Sequence, residues 1–171
     1  MYMHKILIPA LAAPLAACAA IDLPVAAPPV TLVNSSGQAI GTVSAAQTSG
    51  GVTLRISAAG LPHGLHGVHV HAVGRCDAPK FESAGSHWNP AMRKHGLNNP
   101  AGPHAGDLPN VTVSTSGVLR ETLVLAHASM VELGDADGSA LVVHAGPDDY
   151  VTDPSGNSGG RIACAVLAPA R

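Results

Sequence analysis

Aromatic residues are nearly absent from this 171-residue chain: one Phe, one Trp and two Tyr. The interior must therefore be built from Val, Leu, Ile and Ala. Charge is scarce as well, with nine Lys and Arg against eleven Asp and Glu and a formal net charge of −2. No basic excess is present to neutralise a phosphate backbone, so nucleic-acid binding is not favoured. The apolar run at the N-terminus is short and is interrupted by Pro9 and Pro14, which argues against a membrane span. No internal repeat is visible. Glycine (19) and proline (14) are plentiful, which points to many turns and long loops rather than helices. The length suits one domain.

Alternating apolar and polar residues, clearest in Val52-Thr53-Leu54-Arg55-Ile56-Ser57, mark half-buried strands. Eight strands are expected: 30–34, 39–46, 51–59, 66–73, 111–115, 118–125, 140–144 and 162–167. The pair 111–115 and 118–125 looks like a hairpin around Ser116-Gly117. Two long loops interrupt the pattern, residues 75–108 and 145–160. A short helical turn is expected only inside one of them. Eight short strands with turns between them predict an all-β antiparallel sandwich or barrel.

Ten histidines are present, and their placement is the main functional signal. In Gly67-Val68-His69-Val70-His71 a strand sends His69 and His71 to one face and Val68 and Val70 to the other. Two imidazoles on one rigid strand make a metal chelate. His144, at the end of another apolar strand, suits the same ion. By parity His66 shares the face of Val68 and Val70, so it reads as a structural, hydrogen-bonded histidine. His63 and His127 read as loop or turn residues. The loop at 75–108 contributes His87, His95, His104 and Asp107, four N/O donors that suit a closed tetrahedral zinc site and would fold the loop by coordination. The plainer alternative is a mobile loop with scattered histidines.

The blocks G-V-H-V-H (67–71), G-S-H-W-N-P (85–90), K-H-G (94–96), H-A-G-D-L-P-N-V (104–111), L-V-V-H (141–144) and G-G-R-I-A-C (159–164) resemble, in order, those of copper, zinc superoxide dismutase. The resemblance spans about Val30 to Leu167. It implies an eight-stranded Greek-key fold and dismutation of superoxide to dioxygen and hydrogen peroxide. It implies copper on His69, His71, His87 and His144, and zinc on His87, His95, His104 and Asp107, with His87 as a bridging imidazolate. Arg161 matches the family's anion-guiding arginine, so Arg161 and His87 are the expected catalytic residues. Asp148 matches the aspartate that ties a copper histidine to a zinc histidine, with Asp149 and Asp153 close by as solvated loop charges. The resemblance also pairs Cys76 with Cys164, a link worth roughly 4–5 kcal/mol in the chain-entropy picture.

The loop at 145–160 carries no lysine, unlike many members of the family. Substrate steering is then left to Arg161, with Lys80, Arg93 and Lys94 as further candidates. The rival function is non-catalytic copper binding or delivery on the same fold. Loss of a copper histidine, a zinc ligand or the arginine would signal it, and none is lost.

Residues 1–17 read as an export leader, with Lys5 before an Ala/Leu/Ile stretch. Leu15-Ala16-Ala17-Cys18 resembles a bacterial lipoprotein processing site. Cys18 is then the lipidated first residue, residues 18–29 an Ala/Pro-rich tether, and residues 30–171 the catalytic domain. The expected location is periplasmic with a lipid anchor in a bacterial membrane. Lipidation also resolves the odd count of three cysteines. Monomer and homodimer are both open on sequence alone.

Overall fold

Hydrophobic alternation organises the described residues into nine strands: β1 (Val30–Asn34), β2 (Ala39–Thr48), β3 (Gly51–Ala59), β4 (Gly64–His66), β5 (Val68–His71), β6 (Val111–Val113), β7 (Val118–Ala126), β8 (Ser139–His144) and β9 (Arg161–Ala168). The structure is a computed structural model and describes Met1 and residues 27–171. The expected leader, Cys18 and most of the tether lie outside the described residues. Seven strands form one curled antiparallel sheet in the order β5-β8-β9-β1-β2-β3-β7, and β4 pairs with β6 in a second, two-stranded sheet. The non-sequential neighbours require long connections across the sheet ends, as in a Greek key. The all-β antiparallel expectation holds, with nine strands in place of eight.

The extra strand comes from Gly67. The expected strand 66–73 breaks there into β4 and β5, which belong to different sheets. A Cβ on Gly67 would meet the Ser158 Cβ at 3.0 Å and the Asp148 Cβ at 3.3 Å. Its N–H donates to Gly146 O at 2.8 Å. Glycine thus lets the loop 145–160 press against the strand at the break. The hairpin around Ser116-Gly117 is half right. The turn closes, with Ser114 N donating to Val118 O at 3.0 Å. Its two strands take other partners, β6 with β4 and β7 with β3.

The core is aliphatic, as composition demanded. Leu32, Val43, Leu54, Val68, Val70, Leu119, Leu141 and Val143 are buried in one cluster. A smaller cluster gathers Phe81, Ala84, Ala140, Val142 and Cys164 on the other face of β8. One 3-10 turn, Glu82–Ala84, falls inside the first long loop as expected. Helix α1 (Met130–Leu133) lies in neither long loop and was not expected. Ser129 and Glu132 cap it reciprocally, a motif that the sequence does spell out.

Candidate metal centre

Strand parity places the first donors. Val68 and Val70 enter the core, while His69 and His71 project from the opposite face with ring centroids 6.4 Å apart. β8 runs antiparallel beside β5, pairing His69 with Val142 and His71 with Ala140. His144, two residues beyond Val142, therefore shares the face of His69, and their ring centroids lie 4.8 Å apart.

The long loop brings the other donors by lining the free edge of β5. Trp88 N donates to Val70 O at 2.8 Å, Val70 N to Gly106 O at 2.9 Å, and Ala72 N to Ser86 O at 2.9 Å. These bonds set His87 opposite His71 and Asp107 opposite His69. Gly106 permits the approach, since a Cβ there would fall 2.2 Å from Val70 O.

Among the described residues, four buried side-chain nitrogens lack a hydrogen-bond partner: Nδ1 of His69 and Nε2 of His71, His87 and His144. Donor atoms of these same four residues lie within 4.8 Å of one another. Leaving a buried polar atom unpaired is costly, and four converging on one point suit a metal ion. The opposite ring nitrogens of three are occupied: His69 Nε2 donates to Asp148 Oδ2 at 2.7 Å, His71 Nδ1 to Gly85 O at 2.9 Å and His144 Nδ1 to Gly159 O at 3.2 Å. Those bonds fix each ring's tautomer.

The second donor set centres on Asp107 Oδ1. It lies 3.0 Å from His87 Nδ1, 3.0 Å from His95 Nδ1 and 3.5 Å from His104 Nδ1, and the last is 3.3 Å from His87 Nδ1. Four donors at tetrahedral zinc distances sit about 3.3 Å from one another, so the spacing suits such an ion. His69 also lies close to His87, His95 and Asp107. Its Nε2 is engaged by Asp148, however, and its free Nδ1 belongs to the first set. All four residues expected in each set are brought together.

Comparison with known proteins agrees with this geometry. Residues 39–167 match the model of the family described as copper/zinc superoxide dismutase. A relative named superoxide dismutase [Cu-Zn] 1, from Aquifex aeolicus, is 44% identical over 142 residues, covering 80% of this chain and 84% of its own. The chain belongs to the copper/zinc superoxide dismutase family. As a member it is an oxidoreductase with copper and zinc as its cofactors. Among solved structures, a double mutant of a SOD-like protein from Bacillus subtilis aligns with TM-score 0.79 and 43% identity, covering 82% of this chain and 96% of the other. The Cu/Zn superoxide dismutase from Brucella abortus aligns with TM-score 0.71 and 29% identity, covering 83% and 99%.

Burial tunes His69, His71 and His144 of the first donor set for ligation. His69, His71 and His144 are lowered from 6.5 to about 4, 2 and 3, first by desolvation and then by neighbouring positive charge, which for His71 and His144 includes Arg161. Neutral imidazoles present lone pairs. Desolvation also opposes charge on His95, but its bonds to Asp107 and Asp148 outweigh that and raise it to about 9. Asp107 and Asp148 stay ionised: burial raises them, and hydrogen bonds from the histidines pull them well below the usual carboxylate range.

Asp148 is distinguished from its neighbours by geometry. Oδ2 accepts from His69 and Oδ1 lies 3.1 Å from His95 Nε2, so one carboxylate spans the two donor sets. Asp149 instead closes its own loop by accepting from Val151 N, Thr152 N and Thr152 Oγ1. Asp153 accepts from His95 N and Lys94 Nζ. Both are exposed loop charges, as expected, and both are hydrogen-bonded. Sequence reasoning also missed Asn110, whose side chain clamps the Asp148 main chain at 2.8 Å in both directions. Asn110 stands within the H-A-G-D-L-P-N-V block, so the signal was present.

Arg161 pairs with His144 across β8 and β9, where the register shifts. Its guanidinium donates to Phe81 O at 2.7 Å and Gly85 O at 2.6 Å, and it borders a surface cleft with Lys80, Gly159 and Gly160. Cys76 and Cys164 form the disulfide, with Cα atoms 5.7 Å apart. His66 is buried, with Nδ1 2.7 Å from His144 O and Nε2 2.8 Å from Pro62 O. The structural role holds, although the break at Gly67 removes the parity argument for it. His63 and His127 are exposed.

Proposed function

We propose that the chain dismutes superoxide to dioxygen and hydrogen peroxide at a two-metal site bridged by His87. In this reading His69 Nδ1 and the Nε2 atoms of His71, His87 and His144 hold copper. The Nδ1 atoms of His87, His95 and His104 and Oδ1 of Asp107 hold zinc. The observation that carries the reading is the position of His87: its Nε2 joins the orphaned set while its Nδ1 faces Asp107 and His104.

Bound copper supplies a one-electron redox couple and bound zinc a fixed, redox-inert charge. The remaining work falls to the side chains. Two superoxide ions and two protons give one dioxygen and one hydrogen peroxide, so the protein must gather anions and deliver protons. His87 Nε2 is the atom that takes and returns a proton. Asp148 holds His69 and His95 in orientation. Arg161 attracts the anion from the cleft, assisted by Lys80 at its rim. Arg93 and Lys94 contribute less, because Arg93 donates to Gly102 O and Lys94 is paired with Asp153.

We further place the protein outside the cytoplasm, with residues 1–17 as leader, Cys18 as lipidated anchor and residues 30–171 as the catalytic domain. The Cys76–Cys164 disulfide supports an oxidising compartment.

The test is metal analysis combined with superoxide decay on the purified chain. One copper and one zinc per chain with rapid superoxide loss is expected, and His71→Ala should abolish copper binding and turnover while zinc persists. A fully metallated protein that leaves superoxide untouched would refute dismutation in favour of copper holding alone.

A further inference from the structure

We propose that Asp153 is a positioning residue for zinc, fixing the main chain of His95 from the loop that joins β8 to β9. The inference rests on His95 being a zinc ligand, as read above. His95 is fully buried, yet its main-chain N–H donates 2.8 Å to the Oδ1 of Asp153, 58 residues away.

Two carboxylates thus divide the same task. Asp107 works from within the metal loop: its Oδ2 accepts Gly96 N at 2.9 Å and His104 N at 3.0 Å. Asp153 works from outside and takes the amide that Asp107 does not reach. The two loops are pressed together around this contact. Asn98 N donates to Tyr150 O at 3.0 Å, and a Cβ on Gly96 would fall 2.1 Å from that same oxygen. The turn before Asp153 is held in turn by Asp149, whose Oδ1 accepts Val151 N and Thr152 N. The carboxylate is therefore presented by a prearranged loop.

A hydrogen bond to an ionised acceptor is stronger than a neutral one. Contacts behind a ligand commonly set metal affinity through ligand orientation. The other oxygen, Oδ2, pairs with Lys94 at 2.9 Å in an exposed position where ion pairs contribute little. Oδ1 is the atom that matters.

Three variants separate the possibilities: Asp153→Ala removes both contacts, Asp153→Asn keeps an acceptor for the His95 amide, and Lys94→Met removes only the ion pair. The measurement is the rate at which Zn²⁺ passes from metal-loaded protein to a chromogenic chelator, alongside the Tm of the metal-free protein. Asp153→Ala should release zinc about tenfold faster or more. Asp153→Asn should release zinc at a rate between those of wild type and Asp153→Ala, since it keeps the acceptor and loses the charge. Lys94→Met should stay near wild type, and the small falls in metal-free Tm should not follow the order of zinc release. Wild-type release from Asp153→Ala overturns the proposal, as does release from Asp153→Asn as fast as from Asp153→Ala. A metal-free Tm that falls in step with zinc loss also overturns it, making Asp153 a general loop fastener. A wild-type chain that takes up no zinc refutes the underlying assignment of His95 instead.

Discussion

His71 and Arg161 hold the same atom: the carbonyl oxygen of Gly85 accepts from His71 Nδ1 at 2.9 Å and from the Arg161 guanidinium at 2.6 Å. One peptide group therefore registers the imidazole of His71 against the guanidinium of Arg161. The guanidinium fork reaches a second carbonyl, that of Phe81, which a lysine ammonium cannot match in geometry.

Arg161→Ala should keep both metals and the disulfide but lower the superoxide rate about tenfold, within the usual range for electrostatic steering. Arg161→Lys should fall between, since it keeps the charge and loses the fork. Rates measured against ionic strength provide the check. The wild-type rate should fall as salt rises, and the slope should flatten in Arg161→Ala because screening has less field to remove. An unchanged rate and slope would exclude Arg161 as the guide.

Asp148→Asn should weaken both metals together, by about tenfold to a hundredfold each. The amide cannot accept from His69 and His95 at once with both of its polar atoms. Competition with chelators of known affinity gives the two constants. Loss of one metal alone from Asp148→Asn would contradict the bridging geometry.

The metal-free protein should be most stable near neutral pH. His69, His71 and His144 have folded values of about 4, 2 and 3, below 6.5. The unfolded chain therefore binds their protons first, and stability is lost as pH falls from 6.5. Each contributes up to about 1.4 kcal/mol per pH unit. Asp107 and Asp148, depressed below 3.8, add a loss in the same direction at stronger acidity. His95 acts oppositely: raised to about 9, its contribution is complete below 6.5 and disappears as pH climbs through 9. Thermal melts of chelated protein across pH test this, and a flat Tm between pH 4 and 7 would be inconsistent with it.

If Cys18 is the lipidated first residue, native protein should partition with membranes and carry acyl chains, and Cys18→Ser should release it or block processing. Two or more chains anchor firmly where one does not. Mass spectrometry of the mature N-terminus decides the matter, since an unmodified and wholly soluble product is incompatible with the anchor.

Much of the site was legible because strand parity is a local rule. Alternation alone put His69 and His71 together and Val68 and Val70 in the core. The break at Gly67 was not legible, since its cause is a loop about 80 residues later, bonded through Gly146. Asp148 was singled out by resemblance and not by spacing for the same reason: its partners His69 and His95 lie across the fold, as does the His95 amide that Asp153 meets. Helix α1 is a different kind of miss, because Ser129 and Glu132 carried the capping signal in plain view.

The ligand-bearing loop also has a consequence for self-association. β5 ends the seven-stranded sheet, and among the described residues its outer edge is covered by the segments around Trp88 and Gly106 that deliver His87 and Asp107. An uncovered strand edge is a template for pairing with another chain. Ions held by His87 and Asp107, as proposed above, would tether those segments and so guard against polymerisation. Chelated protein should scatter more light on standing than the metallated form, and equal scattering would show that the loop stays closed without them.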